Sequence, residues 1–389
     1  MGDAQKSVML VRQCFKFRVV FCLKFYPKRR LLKKQKFAGN LVFLRALENT
    51  SMKGVLLVNL GSPKSPSESD VRIYLREFLM DGKVMDLPWL LRKMIVEFGI
   101  LPQRPKQSAH AYQSIWQEEG SPLVVISQHL TKKISKKITD IPIELAMRYQ
   151  EPSIKNGLQN LSNKGVDEVL VIPLYPQYAM STTETVIEKC KKVQKSSFHN
   201  MKLEFLPPFY NDEKYIDILS SHIKKQLPQD FDLLLFSYHG IPESHIYKTD
   251  PYKKCRIDDS CCFEEGNPSH GHCYRHQCYF VTEKVREQLG LDKSKVMQTF
   301  QSRLGKNIWL QPYTDQTLAK LPQQGIKKIA AVAPAFISDC LETLEELAIT
   351  DKELFLANGG EEMHYISCLN EDELWADWLT EKINRFIER

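Results

Sequence analysis

The run Leu233-Leu-Leu-Phe236 is apolar at every position and is stopped at once by Gly240 and Pro242. A run that short reads as a strand buried on both faces. Such strands belong to parallel sheets, where helices cover both sides. The rest of the chain agrees. From Lys53 onward, strands are predicted at 55–60, 143–149, 168–174, 203–205, 233–236, 296–300, 329–333 and 365–368. Helices are predicted at 68–79, 88–100, 106–116, 123–138, 153–162, 182–194, 211–226, 276–289, 315–321 and 372–386, with an acidic helix after 338. Ser65 or Ser67 should cap the first helix, Asn211 the one at 211–226, and Ser338 or Asp339 the acidic one. Repeated strand–helix units give an α/β fold of two Rossmann-like, doubly wound parallel-sheet domains with a central cleft. The last helix should cross back onto the first half. A length of 389 residues suits one or two domains.

Ligands of such sheets bind beyond the carboxyl ends of the strands. Ser237, Tyr238 and His239 sit at that end of one strand. A neutral imidazole there can accept a proton or meet a metal, although a lone histidine can equally just close the turn. Glu342 and Glu346, four residues apart, share one face of the acidic helix. Facing a cleft, they could pass protons along a line. Facing water, they are only an acidic first turn favoured by the helix dipole. Gly61-Ser-Pro63 matches neither G-x-G-x-x-G nor a phosphate loop, which argues against nucleotide chemistry.

Charge divides the chain. Lys and Arg number 54 and Asp and Glu 47, but residues 1–51 hold 12 of the bases and only Asp3 and Glu48 of the acids. The remainder carries 42 basic against 45 acidic residues, so it has no general pull on nucleic acid. Apolar runs in 1–51 are broken by Arg18 and Lys24, short of the ~20 residues a membrane span needs. The segment lacks the order of a secretory signal, and Lys6 spoils a myristoylation motif. Residues 1–52 are therefore expected to be a disordered extension, with Met52 the natural start. The protein would then be cytoplasmic, resting peripherally on the inner membrane, or organellar if 1–51 is a transit peptide.

Eight blocks, in this order, make the sequence resemble the ferrochelatases, the class II chelatases that insert ferrous iron into a porphyrin. They are Leu56-Leu-Val-Asn-Leu-Gly-Ser-Pro63, Tyr74-Leu-Arg-Glu-Phe-Leu-Met-Asp81, Gly120-Ser-Pro-Leu123, Met147-Arg-Tyr149, Tyr175-Pro-Gln-Tyr178 with Ser181-Thr-Thr183, Ser237-Tyr-His-Gly-Ile-Pro242, Phe300-Gln-Ser-Arg303 with Trp309-Leu310, and Phe336-Ile-Ser-Asp339 with Glu342-Thr-Leu344. The resemblance implies a chelatase-like fold divided into 53–173 plus 369–389 and 174–368. It implies Fe2+ and protoporphyrin IX as substrates and no cofactor for the chemistry. It places His239 and Glu342 on opposite sides of the bent macrocycle, both meeting the iron, with Asp339 and Glu346 extending an acidic line toward solvent. Leu60, Tyr178, Trp309 and Phe336 would line the slot, and Ser121 and Arg148 would meet the ring's polar edge. Members often carry histidine where this chain has Cys340, which leaves a relay role at that position open. A chelatase for another metal or tetrapyrrole, such as cobalt or coproporphyrin, is the nearest alternative. A porphyrin carrier is the next, but it would need no proton acceptor facing carboxylates.

Two further stretches invite function. Trp89, Leu90, Leu91, Met94, Ile95 and Phe98 form one helical stripe in 89–98, either core packing or a lip resting on membrane. Half of the 10 cysteines, Cys255, Cys261, Cys262, Cys273 and Cys278, fall in the loop-like insertion 253–279. Some ferrochelatases carry a 2Fe–2S cluster, for which ligation by four cysteine thiolates is usual. The expected ligands are Cys255, Cys273, Cys278 and one of the adjacent pair Cys261 and Cys262, with Cys262 chosen and Cys261 its alternative. Tetrahedral zinc, with His270, His272 or His276 replacing a thiolate, is the rival, and free thiols are the third possibility.

Overall fold

The computed structural model describes residues 51–305 and 307–389. The expected disorder of the basic extension lies outside the described residues. Met52 already belongs to the fold, since its carbonyl accepts from the Asp167 N–H at 3.0 Å.

The first half runs β1 (Lys53–Gly61), α1 (Glu68–Leu79), α2 (Trp89–Met94) continuing into a π-helical turn Ile95–Ile100, α3 (Arg104–Ile115), α4 (Pro122–Lys137), β2 (Ile143–Tyr149), α5 (Ile154–Asn163), β3 (Glu168–Pro173), α6 (Thr185–Ser197) and β4 (Lys202–Phe205). After α7 (Glu213–Gln226), the second half runs β5 (Leu233–His239), α8 (Glu243–Thr249), α9 (Asp259–Cys262), α10 (Tyr274–Leu289), β6 (Val296–Gln301), α11 (Thr314–Leu318) and β7 (Lys328–Val332). A π-helix Glu342–Asp351, α12 (Lys352–Ala357), β8 (Glu362–Ile366) and α13 (Glu373–Glu388) complete it.

Both sheets are fully parallel and share one strand order, β2-β1-β3-β4 and β6-β5-β7-β8. The winding direction reverses between β1 and β3 and again between β5 and β7. These reversals are the points where parallel sheets leave a crevice at their carboxyl ends. The apolar runs are continuous because each central strand is covered twice. Val55, Leu57, Leu234 and Phe236 face one core shared by both sheets, together with Trp375 and Leu379 of α13. Leu56 and Val58 turn the other way onto Leu158 and Val186 of α5 and α6. Leu235 and Ala331 turn onto Leu318, Leu347 and Phe355. Each such fully buried side chain contributes about 2 kcal/mol of hydrophobic stabilisation.

The structure departs from the sequence reading in several places. The boundary expected at 173/174 falls inside the first sheet. There β4 pairs with β3, and Val186 and Cys190 of α6 fill the core beneath it, so 174–205 belongs with the first half. Asp212 rather than Asn211 caps α7, accepting from the Tyr215 N–H at 3.2 Å. A helix unseen in the sequence, α8, starts directly after Pro242, whose fixed φ suits a helix entrance. The acidic stretch is π-helical and has no side-chain cap, because Asp339 is already committed to other donors. Ser67 does cap α1, and α13 returns to α4.

Candidate active site

His239 is the last residue of β5, beside the second sheet's reversal. Its Nδ1 lies 2.6 Å from the Gly240 carbonyl. A carbonyl only accepts, so Nδ1 carries the proton and Nε2 keeps the lone pair of the neutral ring. Trp309 and Phe336 flank the imidazole, with ring centroids 6.5 and 6.2 Å away. The strand end cannot carry a larger residue than Gly240. A Cβ there would sit 2.8 Å from the Gln301 carbonyl.

The acidic helix follows β7. In a π-helix the turn is wider than 3.6 residues, so side chains four and five apart both fall near one face. That register puts Asp351 in the row started by Glu342 and Glu346. An α-helix would have turned Asp351 away, which is why the sequence reading missed it. Glu342 lies where its charge acts on the buried phenols Tyr74 and Tyr112 and on the Cys340 thiol. Burial, followed by Glu342, pushes that thiol well above its usual range, so Cys340 stays protonated. Glu346 accepts from the Ser302 hydroxyl and has its pKa raised by burial, although the Ser302 bond and the nearby His239 pull the other way. Asp351 is pushed up to about 8, first by burial and then by Glu346, Asp315 and Glu345. Its Oδ2 has no hydrogen-bond partner. The row thus ends on a buried carboxyl, Asp351, 4% exposed.

Asp339 stands apart from this row. Its Oδ1 accepts from Thr343, Tyr365 and the Cys368 N–H, and its Oδ2 from Asn370. It ties the turn after β7 to the turn after β8. Arg148 is likewise committed. Its guanidinium pairs with Asp81, donates to Thr185 at 2.7 Å and covers the Tyr149 ring. Burial works to raise the Asp81 pKa, but Thr185, the Lys83 N–H, Arg148 and Tyr149 outweigh it and hold Asp81 below the usual carboxylate range. The fork expected to meet a carboxylate of the ring meets one of the protein's own.

Leu60 is the penultimate residue of β1, half-buried, and Ser121 precedes α4, buried. The Tyr178 hydroxyl donates to Glu184 at 2.8 Å. Its neighbour Gln177 donates to the Pro334 carbonyl at 3.3 Å, which joins the loop after β3 to the loop after β7. The carboxyl ends of the two sheets thus meet.

Among the stripe residues, Trp89, Leu90, Leu91, Met94 and Phe98 are exposed, Phe98 to 73%, so the core-packing reading fails. Val96 anchors the lip from below, packed with Leu79, Leu101 and Leu304. Among the described residues no helix is long and apolar enough to cross a membrane.

In the insertion, Cys255, Cys261, Cys262 and Cys273 converge around one small pocket with His270 and His276. Hydrogen bonding from the Cys273 thiol, the first cause in each case, pulls Cys255 and Cys262 down to about 6 and about 7. Arg275 donates to the Cys262 sulfur at 2.8 Å. Cys278, expected among the ligands, is instead wholly buried against Tyr274 in the main core, and Cys261 takes its place in the group. The described cysteines are all free thiols. No three His, Cys, Asp or Glu side chains among the described residues are already placed to hold a metal ion.

Comparison with known proteins adds an independent result. The Ferrochelatase family profile matches residues 52–386. The chain is 46% identical over 336 residues to the ferrochelatase of Pseudomonas fluorescens, covering 86% of this chain and 97% of that one. It is 45% identical over 335 residues to the ferrochelatase of Pseudomonas syringae pv. tomato, with the same coverage. Among solved structures it is similar to SirB from Bacillus subtilis with Fe3+, at a TM-score of 0.50 and 12% identity, covering 86% of this chain and 94% of that one. At that identity the likeness shows the fold alone.

Proposed function

The chain belongs to the ferrochelatase family, and we propose that it is the lyase that inserts Fe(II) into protoporphyrin in haem synthesis, using His239 and the acidic π-helix. Insertion exchanges two pyrrole protons for one divalent cation, with no change of oxidation state. In this reading the Nε2 lone pair of His239 accepts a pyrrole proton. Glu342 takes the second and meets the entering iron, and Glu346 receives protons from it. Carboxylates and imidazole are suitable transient ligands for a dehydrating ferrous ion. Leu60, Tyr178, Trp309 and Phe336 form walls of the slot. The observation that carries the reading is the fixed tautomer of His239, held between two aromatic rings at the strand end beside the acidic row. Anaerobic incubation of the protein with Fe(II) and protoporphyrin should yield haem at a rate proportional to enzyme. Insertion of cobalt alone, or activity only with another tetrapyrrole, would overturn it.

The exposed lip of α2 and the following π-turn is assigned to membrane contact, where an apolar porphyrin would be taken up. Leu90→Glu combined with Phe98→Glu should lower partition onto phosphatidylcholine–phosphatidylglycerol vesicles by about a hundredfold or more, since each apolar side chain contributes about 2 kcal/mol when buried. Unchanged vesicle co-sedimentation would sink this assignment.

Cys255, Cys261, Cys262 and Cys273 are assigned to a structural centre, a 2Fe–2S cluster ahead of zinc. Four convergent thiols, two of them acidified, support it as a donor set. Protein purified without oxygen should be red-brown, and Cys273→Ser should bleach it while Cys278→Ser should not. Colourless protein with one zinc per chain would decide for zinc, and colourless, metal-free, active protein would remove both.

A further inference from the structure

The hydrogen bonds at the end of β6 join the two sides of the site. Gln301 is the last residue of β6, paired in register with His239 on β5, and is 4% exposed. Its carbonyl accepts from the Gly240 N–H at 2.8 Å, one residue beyond His239. Its Oε1 accepts from the Ser237 hydroxyl at 2.7 Å, two residues before His239. Its Nε2 donates to the main-chain carbonyl of Glu342 at 2.7 Å. That last partner can only accept, so the amide has one permitted orientation. Ser237 is held in turn by Thr314, which also bonds Thr299. The next residue, Ser302, lies in the left-handed region at φ 65° and presents its hydroxyl to the Glu346 carboxylate. A serine in that conformation costs about 1 kcal/mol or more and persists where its surroundings over-determine it.

We propose that Gln301 is a positioning residue that fixes the distance between the His239 imidazole and the acidic π-helix, with Ser302 as a second tie on the next carboxylate. The inference rests on the roles proposed for His239 and Glu342. Gln301 touches the strand carrying the base and the backbone carrying the facing acid, and contributes no group to the reaction itself. A base and an acid acting on one macrocycle need their separation held to a fraction of an ångström, and a misplacement of about 1 Å can cost about 10²-fold in rate. A leucine could fill the same volume, but it would leave the Glu342 carbonyl and the Ser237 hydroxyl to find other partners.

The test uses the full chain, anaerobic Fe(II) insertion kinetics, protoporphyrin affinity by fluorescence quenching, and thermal melting. Gln301→Leu should lower kcat about tenfold to a hundredfold while the KM for porphyrin stays within about twofold. Ser302→Gly removes the hydroxyl but relieves the left-handed backbone, so it should melt no lower than the parent and still lose kcat. If Gln301→Leu fails to fold, Ser302→Gly decides. Normal kcat in a folded variant, or KM and kcat worsening in parallel, would overturn the proposal. An inactive His239→Ala beside a fully active Gln301→Leu would remove the positioning role alone. An active His239→Ala would remove the assignment beneath it.

Discussion

Replacing His239 with alanine is expected to lower the turnover of iron insertion by at least about 10²-fold, the range for loss of a positioned general base. Porphyrin affinity should change little. The ring's Nδ1 is held by the Gly240 carbonyl, so the proton acceptor is Nε2, and alanine offers no substitute for it. The fold should survive. His239 is only half-buried, and the strand it ends is fixed upstream by Leu234, Leu235 and Phe236, all fully buried. Tyr274 holds the main chain at this point, donating to the His239 carbonyl at 2.9 Å, and that bond is independent of the side chain. The measurement is kcat under anaerobic conditions, with the melting temperature and porphyrin quenching as controls. Turnover within about threefold of the parent would refute a role for His239 as base.

The parts of the fold that could be read in the sequence were those set by local periodicity. Continuous apolar runs such as 233–236 identify strands covered on both faces, and their position ahead of Gly240 places His239 at a carboxyl end. What could not be read depended on a helix type or a packing partner. Glu342 and Glu346 share a face at either pitch, so they were legible. Asp351 joins them only when the turn widens, and nothing in Glu342-Thr-Leu-Glu-Glu-Leu marks a π-helix. Cys278 and Cys261 were exchanged for a similar reason. Spacing cannot show that Cys278, in α10, falls against Tyr274 in the main core while Cys261 falls on the insertion side. Arg148 was expected at the ring's edge because a free guanidinium suits carboxylates. Its partner Asp81 is 67 residues away in the chain, and their pairing is a product of tertiary structure.

Glu342→Gln is expected to slow insertion by about 10²- to 10³-fold, and Glu346→Gln by about tenfold, as graded losses of proton acceptance. The order follows from what each carboxylate already holds. Glu346 is fixed by the Ser302 hydroxyl and sits in surroundings that raise its pKa, chiefly by burial. A glutamine there keeps an acceptor for Ser302, so the loss is confined to the carboxylate's own proton acceptance. Glu342 opens the helix, and its main-chain carbonyl, not its carboxylate, takes the Gln301 amide. Its charged group faces the Cys340 thiol and the Tyr74 and Tyr112 phenols, all with pKa values pushed well up, chiefly by burial, so none of them can accept a proton in its place. Glu342→Gln leaves Glu345 as the one acidic side chain of the first turn. If the two carboxylates act in sequence, the double variant should be little slower than Glu342→Gln alone, because a blocked first step makes the second irrelevant. Near-normal turnover in both single variants would reduce the row to a surface patch, and a slower Glu346→Gln than Glu342→Gln would reverse the order of transfer.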